Sequence, residues 1–300
     1  MDKVESMSHS TTIGLFYFSG TGNTQVVAEL LAKAFEQHGA RVESARMEHV
    51  LQGKAQFDPE VYDLIGIGHP IHGFGVPRIV YDFVDTVPQV KDKRTFVFKS
   101  AADFIAVNNG ASKSVIRRLK RKGYTTFYDR IICMPSNWAM KYDDAFSKQL
   151  CYVAVAKAEH MAGEVLAGQT RTLSINPFYR WIVRLVSRGE DLGARMFGRM
   201  LRVTDACTDC GRCIDNCPTA NIRRQDDKIA FGYSCVFCMR CIYSCPQQAI
   251  VPRFSKFCVL EDGYDVRAII NNPDLEGNFV TAETRGFYRH FVRYILNTEV

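Results

Sequence analysis

The first half of the chain alternates short apolar runs with segments whose apolar residues recur at helical spacing. The clearest run is TIGLFYFS at residues 12–19, which is rich in β-branched and aromatic residues and predicts a buried strand. After a polar loop, apolar residues recur at helical spacing until Gly39. Further strands are predicted at 62–68, 95–99 and 130–134, and further helices at 79–84, 112–122 and 143–166. This alternation predicts an α/β domain whose mostly parallel sheet is covered by helices on both faces.

Composition narrows the class of protein. The 300 residues are 47% hydrophobic and 23% charged, which is typical of a globular chain long enough for two domains. A formal net charge of +6 suits an acidic protein partner but is too small to favour nucleic-acid binding. The polar opening MDKVESMSHS is unlike a secretory signal and predicts a flexible tail over residues 1–11. Because no apolar stretch is long enough to cross a bilayer, we expect a cytoplasmic protein without a transmembrane segment.

The loop after the first strand, SGTGNT at residues 19–24, has the composition of a phosphate site. It lacks the lysine that a P-loop places after its second glycine, and Gln25 stands where a dinucleotide-binding loop has its third glycine. What is left is a set of backbone N–H groups at a helix N-terminus, with hydroxyl and amide side chains as further donors. A plain strand–helix turn, which needs only the glycines, is the alternative. The candidate phosphate-binding residues are Ser19, Gly20, Thr21, Gly22, Asn23 and Thr24.

Eight of the eleven cysteines stand in two runs of identical spacing, 28 residues apart. Each run has the pattern C-x2-C-x2-C-x3-C-P, by which bacterial ferredoxins hold [4Fe–4S] clusters. Zinc sites use paired Cys-x-x-Cys or Cys/His ligands instead, and a reducing cytosol does not favour disulfides. Three closely spaced thiolates cover one face of a cubic cluster, and in this motif the fourth ligand comes from the other run. We predict one cluster on Cys207, Cys210, Cys213 and Cys245, and a second on Cys235, Cys238, Cys241 and Cys217.

The loop SGTGNT, placed after a first strand, resembles the FMN-phosphate loop of flavodoxins. In that family two later loops lie along the flavin ring, and the resemblance assigns residues 66–77 to one and 98–103 to the other. Residues 98–103 lack the glycine or Tyr-Gly usual there, so this loop departs from the family pattern. The flavin-contacting residues that the resemblance implies are Pro70, Ile71, His72, Gly73, Phe74, Ser100, Ala101 and Asn137.

Residues 108–123 and 134–138, taken with the cysteine runs, resemble a narrower group, the flavodoxin–ferredoxin fusion proteins ("ferrodoxins") of anaerobic bacteria. The resemblance implies a flavodoxin-like doubly wound parallel sheet followed by a smaller α+β 2[4Fe-4S] ferredoxin-like domain. The implied boundaries are 12–169 for an FMN-binding domain, 170–203 for a connecting segment, 204–254 for the ferredoxin-like domain and 255–300 for a C-terminal extension.

The connecting segment 170–203 holds seven arginines against two acidic residues. Arg180, Arg184 and Arg188 recur every four residues beside Trp181 and other apolar positions, which predicts an amphipathic helix packed across both domains. A membrane-surface helix and a docking face for an acidic redox partner stay open as alternatives. A last amphipathic helix in the extension is predicted from Phe287, Phe291, Tyr294 and Ile295.

These parts together predict an electron-transfer protein of anaerobic metabolism, with FMN in one domain and two [4Fe–4S] clusters in the other. Because a cluster exchanges one electron and FMN one or two, the chain would couple one- and two-electron steps. One alternative is a flavin-dependent reductase of a small organic substrate, with His72 and Trp138 shaping the pocket. Another is a redox sensor that binds a partner through the arginine-rich helix. No catalytic residue is predicted, and the expected partners are a ferredoxin, a reductase or the small substrate.

Overall fold

The computed structural model describes residues 10–297, except for the side chains of residues 180, 182, 184, 187 and 188. Most of the predicted tail, residues 1–9, therefore lies outside the described residues. The same holds for the side chains of Arg180, Arg184 and Arg188, on which the predicted arginine face of the connecting helix depends. No helix within the described part of the chain is long and apolar enough to cross a membrane.

The first domain is built on one sheet of five parallel strands. They are β1 (Thr12–Tyr17), β2 (Arg41–Arg46), β3 (Leu64–Pro70), β4 (Lys93–Ala101) and β5 (Tyr124–Cys133). The strands lie in the order β2-β1-β3-β4-β5, and every neighbouring pair is parallel. This is the strand order of flavodoxin-like doubly wound sheets, so the predicted fold class is confirmed.

Helices cover both faces of this sheet. One face carries α1 (Asn23–Gln37) and α5 (Asp144–Leu166), whose apolar sides share a core with β1 and β4. The other face carries the remaining three helices, with a core of their own against the sheet. These are α2 (Met47–Leu51), α3 (Arg78–Thr86) and α4 (Lys113–Arg121). The sheet is therefore buried on both sides, and its C-terminal edge is left to the loops.

The connecting segment is a long helix, α6 (Pro177–Arg199), and it leads into a region of short elements around the cysteines. Two one-turn helices each contain the third cysteine of a run, α7 (Arg212–Asp215) and α8 (Arg240–Tyr243). The strands β7 (Ile222–Gln225) and β8 (Lys228–Phe231) form an antiparallel pair. The strands β6 (Leu201–Val203) and β9 (Ile250–Pro252) form another, so the last residues of the predicted connecting segment join the cysteine-rich region.

The C-terminal extension packs on the first domain. It contains α9 (Val266–Asn271), a 3₁₀ turn at Gly286–Phe291 and α10 (Val292–Leu296). Phe291 and Tyr294 are buried against Phe146, and the Tyr294 hydroxyl accepts a hydrogen bond from the Cys133 N–H at 2.7 Å. The apolar positions predicted near the C-terminus thus contribute to a core shared with α5.

Candidate functional site

The phosphate-type loop joins β1 to α1 and turns at Gly22, whose φ of 104° lies in the left-handed region that favours glycine. Ser19 is buried, and its Oγ has no hydrogen-bond partner among the described residues. The first N–H groups of α1 have no partner within the helix. An unpaired buried hydroxyl beside a helix N-terminus is a donor set that suits a phosphate group. The loop therefore fits the phosphate of FMN.

Two amide side chains hold the loop in place. The Asn23 Nδ2 atom donates to the Pro135 carbonyl at 2.9 Å, and its Oδ1 accepts from the Tyr264 hydroxyl at 2.5 Å. The Asn137 Nδ2 atom donates to Thr21 Oγ1 at 2.5 Å. Each amide nitrogen carries two hydrogens, so each keeps one N–H for a ligand. Tyr264 belongs to the C-terminal extension, and nothing in the sequence links it to this loop.

A cavity of about 480 Å³ opens beside the loop. All fourteen flavin-site residues predicted from the sequence line it except Gly22, which turns the loop, and Phe74. Its volume falls in the range of small-molecule and cofactor pockets. Sequence reasoning missed a further set of lining residues, which come from distant parts of the chain: Val186, Gly189 and Glu190 of α6, and Phe237, Cys238 and Met239 of the second cysteine run.

Glu190 and His72 form the polar side of this cavity. The His72 Nδ1 and Glu190 Oε1 atoms are 3.9 Å apart, and a Cβ built on Gly73 would lie 2.5 Å from Glu190 Oε2. Burial, reinforced by the charge of Asp191, raises the pKa of Glu190 to about 7. Burial lowers the pKa of His72 to about 4, so this imidazole is neutral near pH 7 and supplies no positive charge to the carboxyl. The cavity thus contains a carboxyl group that can exchange a proton near neutral pH.

The two predicted ligand sets line two separate small cavities. Cys207, Cys210, Cys213 and Cys245 line the first, and Cys217, Cys235, Cys238 and Cys241 line the second. Sulfur atoms at matching positions of the two runs accept backbone hydrogen bonds. The Asn221 N–H donates to Cys217 Sγ at 3.2 Å, and the Ala249 N–H donates to Cys245 Sγ at 3.3 Å. Four thiols around a small cavity, with N–H donors aimed at sulfur, suit an iron–sulfur cluster.

The cysteines of the second cavity are partly buried, and desolvation raises the pKa of three of them, Cys235, Cys238 and Cys241. Burial raises the pKa of Cys235 to about 12, and it raises the pKa of Cys241 well above its ordinary value. Such groups ionise only when a positive partner compensates for lost hydration, which iron does on binding. The cavity therefore favours thiolates in the presence of iron and neutral thiols in its absence.

Arg240 connects the second cysteine run to the phosphate-type loop. Its guanidinium donates to the Ser19 carbonyl at 2.6 Å and to the Gly20 carbonyl at 3.3 Å. It also pairs with the buried Glu48 carboxylate at 2.7 Å. A Cβ built on Gly20 would lie 2.4 Å from the Cys238 carbonyl oxygen, so only glycine permits this approach of the two backbones. The flavin-type cavity and the second cluster cavity are thus direct neighbours.

Two family models match the chain. The model of a flavodoxin domain matches residues 14–125, and the model of a 4Fe-4S dicluster domain matches residues 206–250. The chain therefore has the domain arrangement of a flavodoxin–ferredoxin fusion, as its sequence predicted. These domains imply FMN and iron–sulfur clusters, and they make the protein an iron–sulfur flavoprotein that carries electrons.

Several solved flavodoxins resemble part of the chain. Reduced flavodoxin from Megasphaera elsdenii is 25% identical, with 40% of this chain and 84% of that chain covered and a TM-score of 0.33. Flavodoxin 2 from Bacillus cereus is 20% identical, with 53% and 99% covered and a TM-score of 0.39. Rubredoxin:oxygen oxidoreductase from Desulfovibrio gigas is 17% identical, with 52% of this chain and 37% of that chain covered and a TM-score of 0.33. No curated protein matches the chain.

Proposed function

We propose that this protein passes electrons between two [4Fe–4S] clusters and FMN in anaerobic metabolism, coupling one- and two-electron steps. The observation that carries the proposal is the contact between the second cysteine run and the phosphate-type loop. Phe237, Cys238 and Met239 line the flavin-type cavity, and Cys238 and Met239 also line the second cluster cavity. These two shared residues would give electrons a short route from the second cluster to the flavin, without a separate carrier.

The proposed FMN site consists of the residues that line the cavity of about 480 Å³. Ser19 and the N-terminus of α1 would hold the phosphate, with Thr21, Asn23 and Thr24 as further polar groups. The loop after β3, from Pro70 to Gly73, would lie along the flavin with Ser100, Ala101 and Asn137 on the other loops. Gly22 and Phe74, which do not line the cavity, would act through the shape of their loops.

The proposed ligand sets are crossed between the two cysteine runs. Cys245 completes the set of Cys207, Cys210 and Cys213, and Cys217 completes the other. Bound clusters and FMN supply one-electron and two-electron capacity respectively. The two cavities differ in their surroundings: the first includes the exposed Cys210, whereas Val236 and Cys238 beside the second pack against the core of the first domain. A ferredoxin or reductase would therefore exchange electrons at the first cavity.

The test is anaerobic purification followed by flavin identification, iron and sulfide analysis, and rapid mixing with a one-electron donor. We expect one FMN and about eight iron atoms per chain, as the two-cluster motif requires. We also expect flavin reduction that depends on the clusters. Absence of FMN, or about four iron atoms, would contradict the proposal.

A second candidate function is a flavin-dependent reductase of a small organic substrate. The observation that favours it is the carboxyl of Glu190, which lines the flavin-type cavity and has a pKa of about 7. Such a group can deliver a proton to a substrate that accepts electrons. Trp138, about half exposed, stands at the rim of the same cavity. The reductase would be favoured if Glu190→Gln slowed the turnover of a small acceptor but left electron transfer to a protein acceptor unchanged.

A further inference from the structure

Several described residues of α6 expose large apolar side chains. Trp181 is 64% exposed, Leu185 57% and Leu192 61%. Tyr179 and Val186 are also exposed, but at about 100° per residue of an α-helix the other five exposed large apolar positions fall within about 60° of one another. We call them the α6 stripe: Phe178, Trp181, Leu185, Leu192 and Met196. The buried residues Val183, Ala194 and Phe197 lie on the opposite side, so the packing of α6 leaves the stripe uncovered among the described residues.

The stripe has cationic neighbours near its start. A cavity of about 900 Å³ between α3, α4 and α6 brings Trp181 together with arginines of α4. Of these, Arg117 and Arg121 are exposed and make no hydrogen bond or ion pair with any described residue. An exposed aromatic ring beside free guanidinium groups suits the headgroup region of a lipid bilayer, where tryptophan and arginine are both favoured.

A second cationic and aromatic segment, residues 253–257, lies in space beside the end of α6. The N–H of Arg253 donates to the Met200 carbonyl at 3.0 Å, which holds the turn of residues 253–257 against the end of this helix. In that turn Phe254 is 68% exposed and Phe257 is 71% exposed. Arg253 and Lys256, which alternate with them, are exposed as well. Apolar groups that stand clear of the protein between positive charges are typical of an interfacial anchor.

The charges around the stripe decide between possible occupants. The acidic residues of α6 are both engaged: Glu190 lines the flavin-type cavity, and Asp191 pairs with Arg195 at 2.8 Å and lies 3.4 Å from Arg78. The other two carboxylates of the cavity of about 900 Å³ are paired as well, Asp82 with Arg78 and Asp85 with Arg118. A second copy of the chain would therefore bring Arg117 and Arg121 towards carboxylates that already have partners. An anionic surface gains from the same charges. We propose that the α6 stripe and the turn 253–257 form a peripheral binding surface for a membrane containing anionic lipid.

The test is partition of the cofactor-loaded full-length protein onto vesicles. Phosphatidylcholine vesicles are compared with vesicles of equal parts phosphatidylcholine and phosphatidylglycerol, at low and high salt. We expect binding to the anionic vesicles that weakens with salt. Replacing two stripe residues, Leu185→Glu with Leu192→Glu, should lower the partition coefficient by about tenfold or more, since two apolar groups that the membrane would bury become charges. Arg117→Gln with Arg121→Gln should lower it by about tenfold.

The matched control is Val61→Glu, which adds a charge at an exposed apolar residue away from α6. It should leave partition unchanged, and unchanged iron and flavin content shows that each variant is folded. The chain has two tryptophans, so in a Trp138→Phe background Trp181 is the single emitter and should shift to shorter wavelength on anionic vesicles. Equal partition onto both vesicle types, or full binding by the Leu185→Glu/Leu192→Glu protein, would overturn the proposal. Self-association in light scattering that the same double substitution abolishes would assign the stripe to a second copy instead.

Discussion

The two cysteine runs share one backbone but have different surroundings. Asp209 and Phe237 occupy matching positions with φ of 55° and 54°, and Gly211 and Met239 match with φ of 73° and 58°. The first run surrounds a cavity that includes the exposed Cys210. The second run packs against the core that α2, α3 and α4 form on the sheet of the first domain, and it also lines the flavin-type cavity. A repeated motif has thus become two sites, one facing solvent and one facing the proposed flavin.

The matching arginines show where the two runs diverge. Arg212 donates to the Ser244 carbonyl at 3.4 Å, and Arg240 donates to the Asn216 carbonyl at 3.0 Å, each just before the fourth cysteine of the other run. Both arginines therefore tie one run to the other. Only Arg240 also reaches the first domain, through the Ser19 carbonyl and Glu48. The contact that both arginines make joins the two cysteine runs. The additional contacts of Arg240 join the second run to the first domain.

The largest effect is expected from removing one crossing ligand. Cys217→Ala takes a thiol from the cavity of Cys235, Cys238 and Cys241, although it belongs to the other run by sequence. Iron should fall from about eight to about four atoms per chain, and cluster-dependent flavin reduction should be lost. Iron analysis and electron paramagnetic resonance measure this.

Cys245→Ala is the matched substitution for the first cavity. It should also remove about four iron atoms, but it should spare the cluster beside the flavin-type cavity. If Cys217→Ala instead damaged the cluster of its own run, the crossed assignment would be wrong.

The second effect separates the two arginines. Arg240→Gln leaves the buried Glu48 with a single, more distant partner, because the Arg46 Nη1 atom is 3.6 Å from the same oxygen. Breaking a buried ion pair costs about 3–5 kcal/mol, and the residual contact with Arg46 places the expected loss near the lower bound, about 3 kcal/mol. The affinity for FMN should also fall, since the Ser19 and Gly20 carbonyls lose their donor. Anaerobic thermal unfolding and flavin fluorescence titration measure the two losses.

Arg212→Gln is the control at the matching position. Its contact with Ser244 is long and exposed, so the expected loss is under about 1 kcal/mol with unchanged FMN affinity. Equal losses for the two variants would show that the contact between domains adds nothing to the contact between runs.

A smaller effect should reveal the carboxyl that α6 brings to the flavin-type cavity. Glu190 has its pKa raised from 4.5 to about 7, so between these values the unfolded chain releases a proton that the folded protein keeps. The free energy of unfolding therefore falls as pH rises through this window and stays reduced above it. Glu190→Gln removes this penalty, and the variant should be more stable than the wild type at pH 8 by about 2 kcal/mol.

The measurement compares apparent melting temperatures at pH 5, near the lower end of this window, and at pH 8, above it; the gain should be small at pH 5 and several degrees at pH 8. Glu261→Gln, which changes an exposed carboxylate, should show no difference between the two pH values. An equal gain in melting temperature at the two pH values would show that ionisation of Glu190 is not its cause.

The sheet could be predicted where strands are buried on both faces. The runs that became β1 and β3 are continuously apolar, whereas β2, with the sequence RVESAR, is a largely exposed edge strand and was missed. Strand β5 begins at Tyr124, six residues before the predicted start, because its first part is rich in polar residues. One of them, Asp129, is fully buried and pairs with Lys99 at 2.7 Å. A hydropathy pattern cannot show that two charges on neighbouring strands compensate each other.

The site could be predicted where its chemistry is local in sequence. The loop of residues 19–24 and the two cysteine runs each carry their chemistry within a few positions. Tyr264, Glu190 and Arg240 reach the flavin-type cavity or its loop from other segments, and no spacing links them to it. Their roles depend on how these segments pack against the first domain, and a short sequence motif does not encode that packing.

The smallest effect on stability is expected at the position where the first run has Gly211 and the second run has Met239. Gly211 and Met239 both have positive φ, so a side chain is compatible with this geometry in the second run. A Cβ built on Gly211 meets nothing closer than Asp215 Oδ2 at 3.9 Å, so Gly211→Ala should cost only the left-handed backbone strain, about 1 kcal/mol. Gly193→Ala, inside α6 with open space around its Cβ, should instead stabilise by up to about 1 kcal/mol. Thermal unfolding measures both, and loss of iron from Gly211→Ala would show that the first cavity does not accept a side chain where the second accepts methionine.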